Sequence, residues 1–279
     1  MDHGRARYVI GRLAALLGGV AIACLAATPA AAQPADTPPR YYFRFGILHI
    51  APQVSSSQVE LVDVRGAASL ALDSGPIAGA GVSVDSETLP AAIIGIVLPW
   101  LNHRLAIETI LGLPIKMKFH ATGTLANQSL APTVFGVPTG IPPLGSDLAE
   151  ASVLPPVVTV VFRARDFGPV TPVIGGGVAA LISYDERVTN SVLTQVSQPE
   201  ISIATAFGPV LQAGLDIRLW RGMRARLDIK YIPISTDATI KNIQVMTTIP
   251  FVNTVDIGDS KASLSVNPLV AQLAAGFDF

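Results

Sequence analysis

Residues 224–231, RARLDIKY, put Arg224, Arg226, Asp228 and Lys230 on one parity and Ala225, Leu227, Ile229 and Tyr231 on the other. Successive side chains of a strand point to opposite faces, so this segment is a strand with one charged and one apolar face. LQAGLDIRLW repeats the pattern, with Leu211, Ala213, Leu215, Ile217 and Leu219 opposing Gln212, Gly214, Asp216 and Arg218. RLAIETILGLPIKMKF sets Leu105, Ile107, Leu111, Leu113, Ile115, Met117 and Phe119 against Arg104, Glu108, Lys116 and Lys118. It reads as one continuous strand, longer than the roughly 9–11 residues needed to cross a bilayer. Alternation alone does not say which face is inside.

Composition narrows the choice. Half of the residues are hydrophobic and only 14% are charged, with a mean hydropathy of +0.50; an ordinary soluble domain carries about 25% charged residues. The N-terminal 32 residues account for little of this excess. Arg5, Arg7 and Arg12 form a positive start, residues 13–27 an apolar run, and Ala30-Ala31-Ala32 before Gln33 a small-residue cleavage site, so residues 1–32 read as a secretory signal peptide. Cys24 invites a lipoprotein reading, which Ala21 and the apolar residues after the cysteine disfavour. Cleavage leaves 16 basic and 19 acidic side chains and no cysteine. The basic residues are dispersed, which excludes a nucleic-acid stripe.

No mature segment reads as a spanning helix. The longest uncharged run, residues 121–146, carries Pro132, Pro138, Pro142 and Pro143, and prolines break helices. Only helices and closed barrels satisfy their backbone within lipid. An exported, apolar chain without a spanning helix is therefore expected to be all-β, with residues 33–279 forming a transmembrane barrel.

The spacing of the turns sets the strand number. Short connections fall at PWLNH (residues 99–103), RDFG (165–168) and WRG (220–222), and long ones near residues 53–82, 120–154, 185–200 and 240–261. Together they join eight antiparallel strands, with short periplasmic turns and long extracellular loops. Tyr41, Tyr42, Phe43, Phe45, Trp100, Phe162, Phe167, Trp220, Phe277 and Phe279 gather toward the short turns and predict an aromatic girdle. A soluble, lipocalin-type barrel with its apolar face inward is the alternative.

The blocks FRFGILHIAP, VDSETL, LAIETILGLPIKMKFHATGTL, LPPVVTVVFR, GPVTPVIGGGVAALISYDE, FGPVLQAGLDIRL and AAGFDF, in this order, resemble the OmpW family of eight-stranded outer-membrane barrels. AAIIGIVLPW, Thr171-Pro172-Val173 and a long stretch over residues 240–261 depart from that family's pattern. The resemblance implies an outer-membrane location and passage of small hydrophobic molecules. It also implies that Ala275, Phe277 and Phe279 are the signal read by the barrel-assembly machinery, on a last strand that pairs with the first. It further points to Ile110 as an apolar lumen residue, which parity with Glu108 also places inside. Phe207 matches an aromatic near an apolar pocket, although strict alternation puts it on the lipid side unless Gly208-Pro209 forms a bulge.

Charge decides which residues line the lumen. An Arg or Lys facing lipid at the midplane costs about 2–4 kcal/mol, so Arg224, Arg226, Asp228 and Lys230 are expected inside. Arg44, Arg104, Glu108, Asp216 and Arg218 are expected to complete the ion network there, with Arg163 and Arg165 as further candidates. An eight-stranded barrel is just wide enough for its own side chains to fill, so this network predicts a plug in the periplasmic half. Pro90, Pro114, Pro209, Pro233 and Pro268 lack a ladder N–H and are candidates for a lateral opening toward outer-membrane lipids, with residues 121–146 as an apolar mouth. The reading needs no cofactor or metal: His49, His103 and His120 have no ligand spacing, and Gly175-Gly176-Gly177 lacks the phosphate-loop lysine. A structural or stress-related surface barrel without transport is the other function class these residues allow.

Overall fold

The computed structural model describes residues 39–220 and 222–279; the expected signal peptide, residues 1–32, lies outside the described residues. Eight strands form the barrel: β1 (Tyr41–Ala51), β2 (Glu87–Leu98), β3 (Leu105–Gly112), β4 (Val157–Arg163), β5 (Val170–Val188), β6 (Ala206–Trp220), β7 (Met223–Tyr231) and β8 (Leu269–Asp278). Each pairs antiparallel with its sequence neighbours, and β8 pairs with β1, so the sheet closes. Closure removes both sheet edges. The seam runs from Tyr42 opposite Asp278 to Ala51 opposite Leu269. Reciprocal 2.8 Å backbone hydrogen bonds between Tyr41 and Phe279 continue it to the short-turn end.

The alternation of β7 explains why this wall is stable only in lipid. Arg226, Asp228 and Lys230 are buried in the barrel, while Leu227, Ile229 and Tyr231 are exposed on its outside. The same outward apolar face continues around the barrel through Phe45, Ile47, Val160, Ile174, Leu211 and Leu273. In water this belt would be a large penalty, at about 25 cal/mol per Å² of apolar surface left exposed. The lipocalin-type alternative requires the opposite facing and is excluded by it.

Above the barrel, away from the short turns, most strands break and then resume. The resumed segments are Ser55–Val62, Ala80–Val84, Ile115–Gly123, Asp147–Leu154, Glu200–Ile203, Ser235–Ile249 and Val252–Ser265, while β5 runs through without a break. They sort into two sheets. Ala80–Val84, Ile115–Gly123, Asp147–Leu154 and upper β5 form one; Glu200–Ile203, Ser235–Ile249, Val252–Ser265 and Ser55–Val62 form the other. The expected long loop at residues 240–261 is thus a tall hairpin.

The expected single strand through RLAIETILGLPIKMKF is two. Pro114, which cannot donate to a ladder, lies in the break between Gly112 and Ile115, and the chain changes face there. Below the break Glu108 is buried and Ile107 exposed; above it Ile115, Met117 and Phe119 are buried while Lys116 and Lys118 are exposed.

Candidate functional site

The lower lumen is filled by a network of charges. Arg226 grips Asp216 with two bonds, Nε to Oδ1 at 2.6 Å and Nη2 to Oδ2 at 3.1 Å, and reaches Glu108 at 2.9 Å. Arg44 lies 3.5 Å from Asp216 and 3.0 Å from Asp278. Arg163 and Arg224 complete the lower rim, Arg224 at 3.0 Å from Asp278 and Arg163 at 3.7 Å from Asp216. Planar guanidinium groups suit such bridging because their donors are held in a fixed fork.

Tyr42 joins this network from β1, two strands from Glu108 on β3. Its hydroxyl donates to Glu108, and its ring lies under the Arg44 and Arg163 guanidiniums, 4.3 and 4.6 Å from the ring centroid. Gly95, directly across the ladder, makes room for the ring: a Cβ there would stand 1.9 Å from Tyr42 Cζ. Ile93, Val97, Ala106, Val161 and Val173 pack with Tyr42 and fill the rest of the section. The result is a plugged barrel section, as the width of eight strands requires.

One rung higher the inward face turns apolar. Gln212 Nε2 donates to Glu108 at 2.9 Å and to Asp228 at 2.8 Å, and Lys230 pairs with Asp228. Beyond Lys230 the next inward residues on that chain are Ile232 and Ile234. A cavity of about 70 Å³ opens there, lined by Leu48, Ile110, Met117, Val157 and Ile232, with Lys230 its only charged lining residue. A second cavity of about 80 Å³ follows between the two upper sheets, lined by Leu61, Phe119, Leu125, Leu193 and Ile243. The step between them is a single rung, from Met117 to Phe119 on one sheet and from Val266 to Leu264 on the other. A third, about 220 Å³, shares Leu72, Ile141 and Ile257 with the second and reaches the exposed Phe135.

The wall beside the lower cavity is interrupted. The β2–β3 ladder ends at Ala91 opposite Gly112 and resumes only at Val84 opposite Phe119. Between these pairs, residues 87–90 ladder only with β1 and residues 115–117 only with Asp147–Leu154. Pro90 and Pro114 border the break. Leu89, half-buried, is packed against the upper core, and its Cδ1 would lie 3.7 Å from a Cβ at Gly112. At the top of the break the Asp85 N–H reaches the Lys118 carbonyl at 3.4 Å, and His120 contacts Asp85 at 3.1 Å.

The residues singled out from the sequence separate into groups. Arg44, Glu108, Asp216, Arg224, Arg226, Asp228 and Lys230 meet in the network. Arg104 does not, because it lies in the turn before β3 and is exposed. Arg218 does not either. It is 54% exposed at the rim, 3.3 Å from Asp166.

Ile110 lines the lower cavity. Phe207 is 76% exposed on the outer face: β6 follows β5 in unbroken register from Ala206 to Ile217, without the bulge that an inward placement needed. Pro209 keeps its place opposite Val178 on β5 and Pro268 accepts a hydrogen bond from Ile232, while between Pro209 and Pro233 the β6–β7 ladder has already ended at Leu211 opposite Tyr231 and the next backbone bond is from the Ala204 N–H to the Asp237 carbonyl. Ala275, Phe277 and Phe279 lie on or just beyond β8, with Phe277 and Phe279 exposed. Of the two further candidates, Arg163 joins the network, whereas Arg165 is exposed beyond the end of β4. Tyr42, Gln212, Gln272 and Asp278 were not among the expected network, and parity with Arg44, Asp216 and Gly276 was the signal that could have found them.

Comparison with known proteins places this architecture. Residues 53–279 match the OmpW family. The chain is 26% identical over 240 residues to the outer-membrane protein y4mB of Sinorhizobium fredii, covering 85% of this chain and 87% of that protein. It is 24% identical over 179 residues to the dibenzothiophene metabolism operon protein PahQ of Pseudomonas aeruginosa, covering 64% and 67%. The crystal structure of the outer membrane protein OprG from Pseudomonas aeruginosa superposes with a TM-score of 0.63 at 18% identity, over 87% of this chain and 96% of that one. AlkL in lipid bilayers gives 0.50 at 18% identity, over 91% and 97%.

Proposed function

The chain belongs to the OmpW family and is an outer-membrane β-barrel, and we propose that it is a passive conduit for small hydrophobic molecules that releases them sideways into the membrane. The observation that carries this reading is the stack of apolar cavities standing on a charged floor, with a break in the wall at the level of the lowest cavity. In an outer-membrane barrel the short turns face the periplasm, so the upper sheets lie on the extracellular side. An apolar solute gains by leaving water for a cavity lined by leucine and isoleucine. It gains nothing by entering the network below, where Arg226 and Asp216 would have to part. The gap bordered by Pro90 and Pro114 offers a way out, with Leu89 across it. The name of PahQ, from a dibenzothiophene metabolism operon, agrees with an apolar aromatic solute.

Assembly is proposed to depend on Ala275, Phe277 and Phe279 as the pattern read by the barrel-assembly machinery. The experiment for the conduit compares uptake of a labelled alkane or small aromatic with that of a labelled small sugar, in cells lacking the protein and in cells restored with it. Faster entry of the apolar solute alone is expected upon restoration. Equal entry of both solutes in both strains would replace the conduit with a structural surface barrel.

A further inference from the structure

The floor of the lower cavity holds polar groups that the ion network leaves incomplete. Lys230 is 2% exposed and lines the cavity. Among the described residues its ammonium bonds only to Asp228, which is also held by Gln212. An ammonium carries three donors, so two remain at the edge of an otherwise apolar space. Gln272 lies one rung below, opposite Asp228 on β7 and Leu48 on β1. It is 1% exposed, and neither its Nε2 nor its Oε1 has a hydrogen-bond partner among the described residues. Buried polar groups are almost always paired; in this layer Asp228 Oδ1 and Gln212 Oε1 also have no partner among the described residues, so donors are in short supply here and a group that both donates and accepts would serve it.

We propose that Lys230 and Gln272 form a head-group subsite at the bottom of the conduit, which takes apolar molecules ending in one neutral hydroxyl, such as phenols and alcohols. The inference rests on the conduit reading and adds a substrate class to it. A hydroxyl both donates and accepts, which matches an amide offering Oε1 and Nε2 together with the spare donors of Lys230. A carboxylate fits less well. It would bring a second anion to a lysine whose charge Asp228 already balances, and would lose its hydration in doing so. A plain hydrocarbon fills the apolar cavity but leaves the amide and the ammonium as they are.

The test measures binding of naphthalene, 2-naphthol and 2-naphthoate at neutral pH to the purified full-length barrel in nanodiscs of neutral phospholipid, with empty nanodiscs subtracted. The wild-type protein is expected to bind 2-naphthol about tenfold more tightly than naphthalene, the gain of one or two buried hydrogen bonds, and more tightly than 2-naphthoate. Gln272→Leu keeps the Lys230–Asp228 pair and the volume of the site, so it is expected to fold, to retain naphthalene binding and to lose most of the preference for 2-naphthol. Equal binding of naphthalene and 2-naphthol, a preference for 2-naphthoate, or an unchanged preference in Gln272→Leu would each overturn the subsite while leaving the conduit standing. Binding of none of the three above empty nanodiscs would overturn both.

Discussion

The lower barrel and the two sheets above it are built from the same eight passes of chain with opposite polarity. Below, Arg44, Glu108, Asp216 and Arg226 are inside, and Phe45, Ile229 and Leu273 are outside. Above, Val59, Phe119, Ile243 and Leu264 are inside, and Lys116, Lys118, Asp237 and Lys261 are outside. Each arrangement suits its solvent. In lipid the charges can only be satisfied by one another, so they turn inward and pair; in water the apolar side chains turn inward and the charges solvate. The interior changes polarity between Lys230 and Ile232, close to where the β2–β3 wall is broken, and this is where the proposed conduit would begin.

This contrast makes ordered predictions. The largest effect is expected from Asp216→Ala, which strips Arg226, Arg44 and Arg163 of a shared partner. Breaking a buried ion pair by removing one partner costs about 3–5 kcal/mol, to be read from urea unfolding in lipid vesicles. Next comes the outer face. Leu227→Lys in the lower barrel is expected to cost about 2–4 kcal/mol, whereas Lys118→Met on the upper outer face should change stability by less than about 0.5 kcal/mol. Equal effects at the two positions would break the proposed boundary between lipid and water.

Gly95→Ala pushes a methyl into the Tyr42 ring and is expected to cost about 1–3 kcal/mol. Combining it with Tyr42→Leu, which removes the ring, should give a total well below the sum of the two single losses. The smallest effect belongs to Arg218→Ala. Its pair with Asp166 is more than half exposed, and such pairs contribute about 0–1 kcal/mol. A large loss there would mean that the network extends to the periplasmic rim.

The lower half was legible in the sequence because charge and parity coincide there. Arg226, Asp228 and Lys230 alternate with Leu227, Ile229 and Tyr231, and lipid admits only one facing. Parity failed at the strand ends: Arg104 and Arg218 share the inward parity, yet one sits in a turn and the other at the rim, where the barrel no longer encloses them. The upper half was hidden for two reasons. Along β3 the chain changes face at Pro114, so one apolar stripe serves lipid below and the cavity above. Along β7 and Ser235–Ile249 the inward face persists but its residues turn from Lys230 to Ile232 and Ile234, which alternation alone reads as a change of side. Phe207 shows the converse. The family likeness suggested an inward aromatic, but the uninterrupted β5–β6 register keeps it outside.

An apolar solute stopped by the charged floor is proposed to leave through the break between β2 and β3, past Leu89. This route is tested most directly by uptake of a labelled alkane in cells carrying wild-type protein or Leu89→Trp, at matched amounts of folded barrel in the outer membrane. An indole at this position fills the break, and uptake is predicted to fall toward the level of cells lacking the protein. Wild-type uptake by a folded Leu89→Trp barrel would contradict the lateral route.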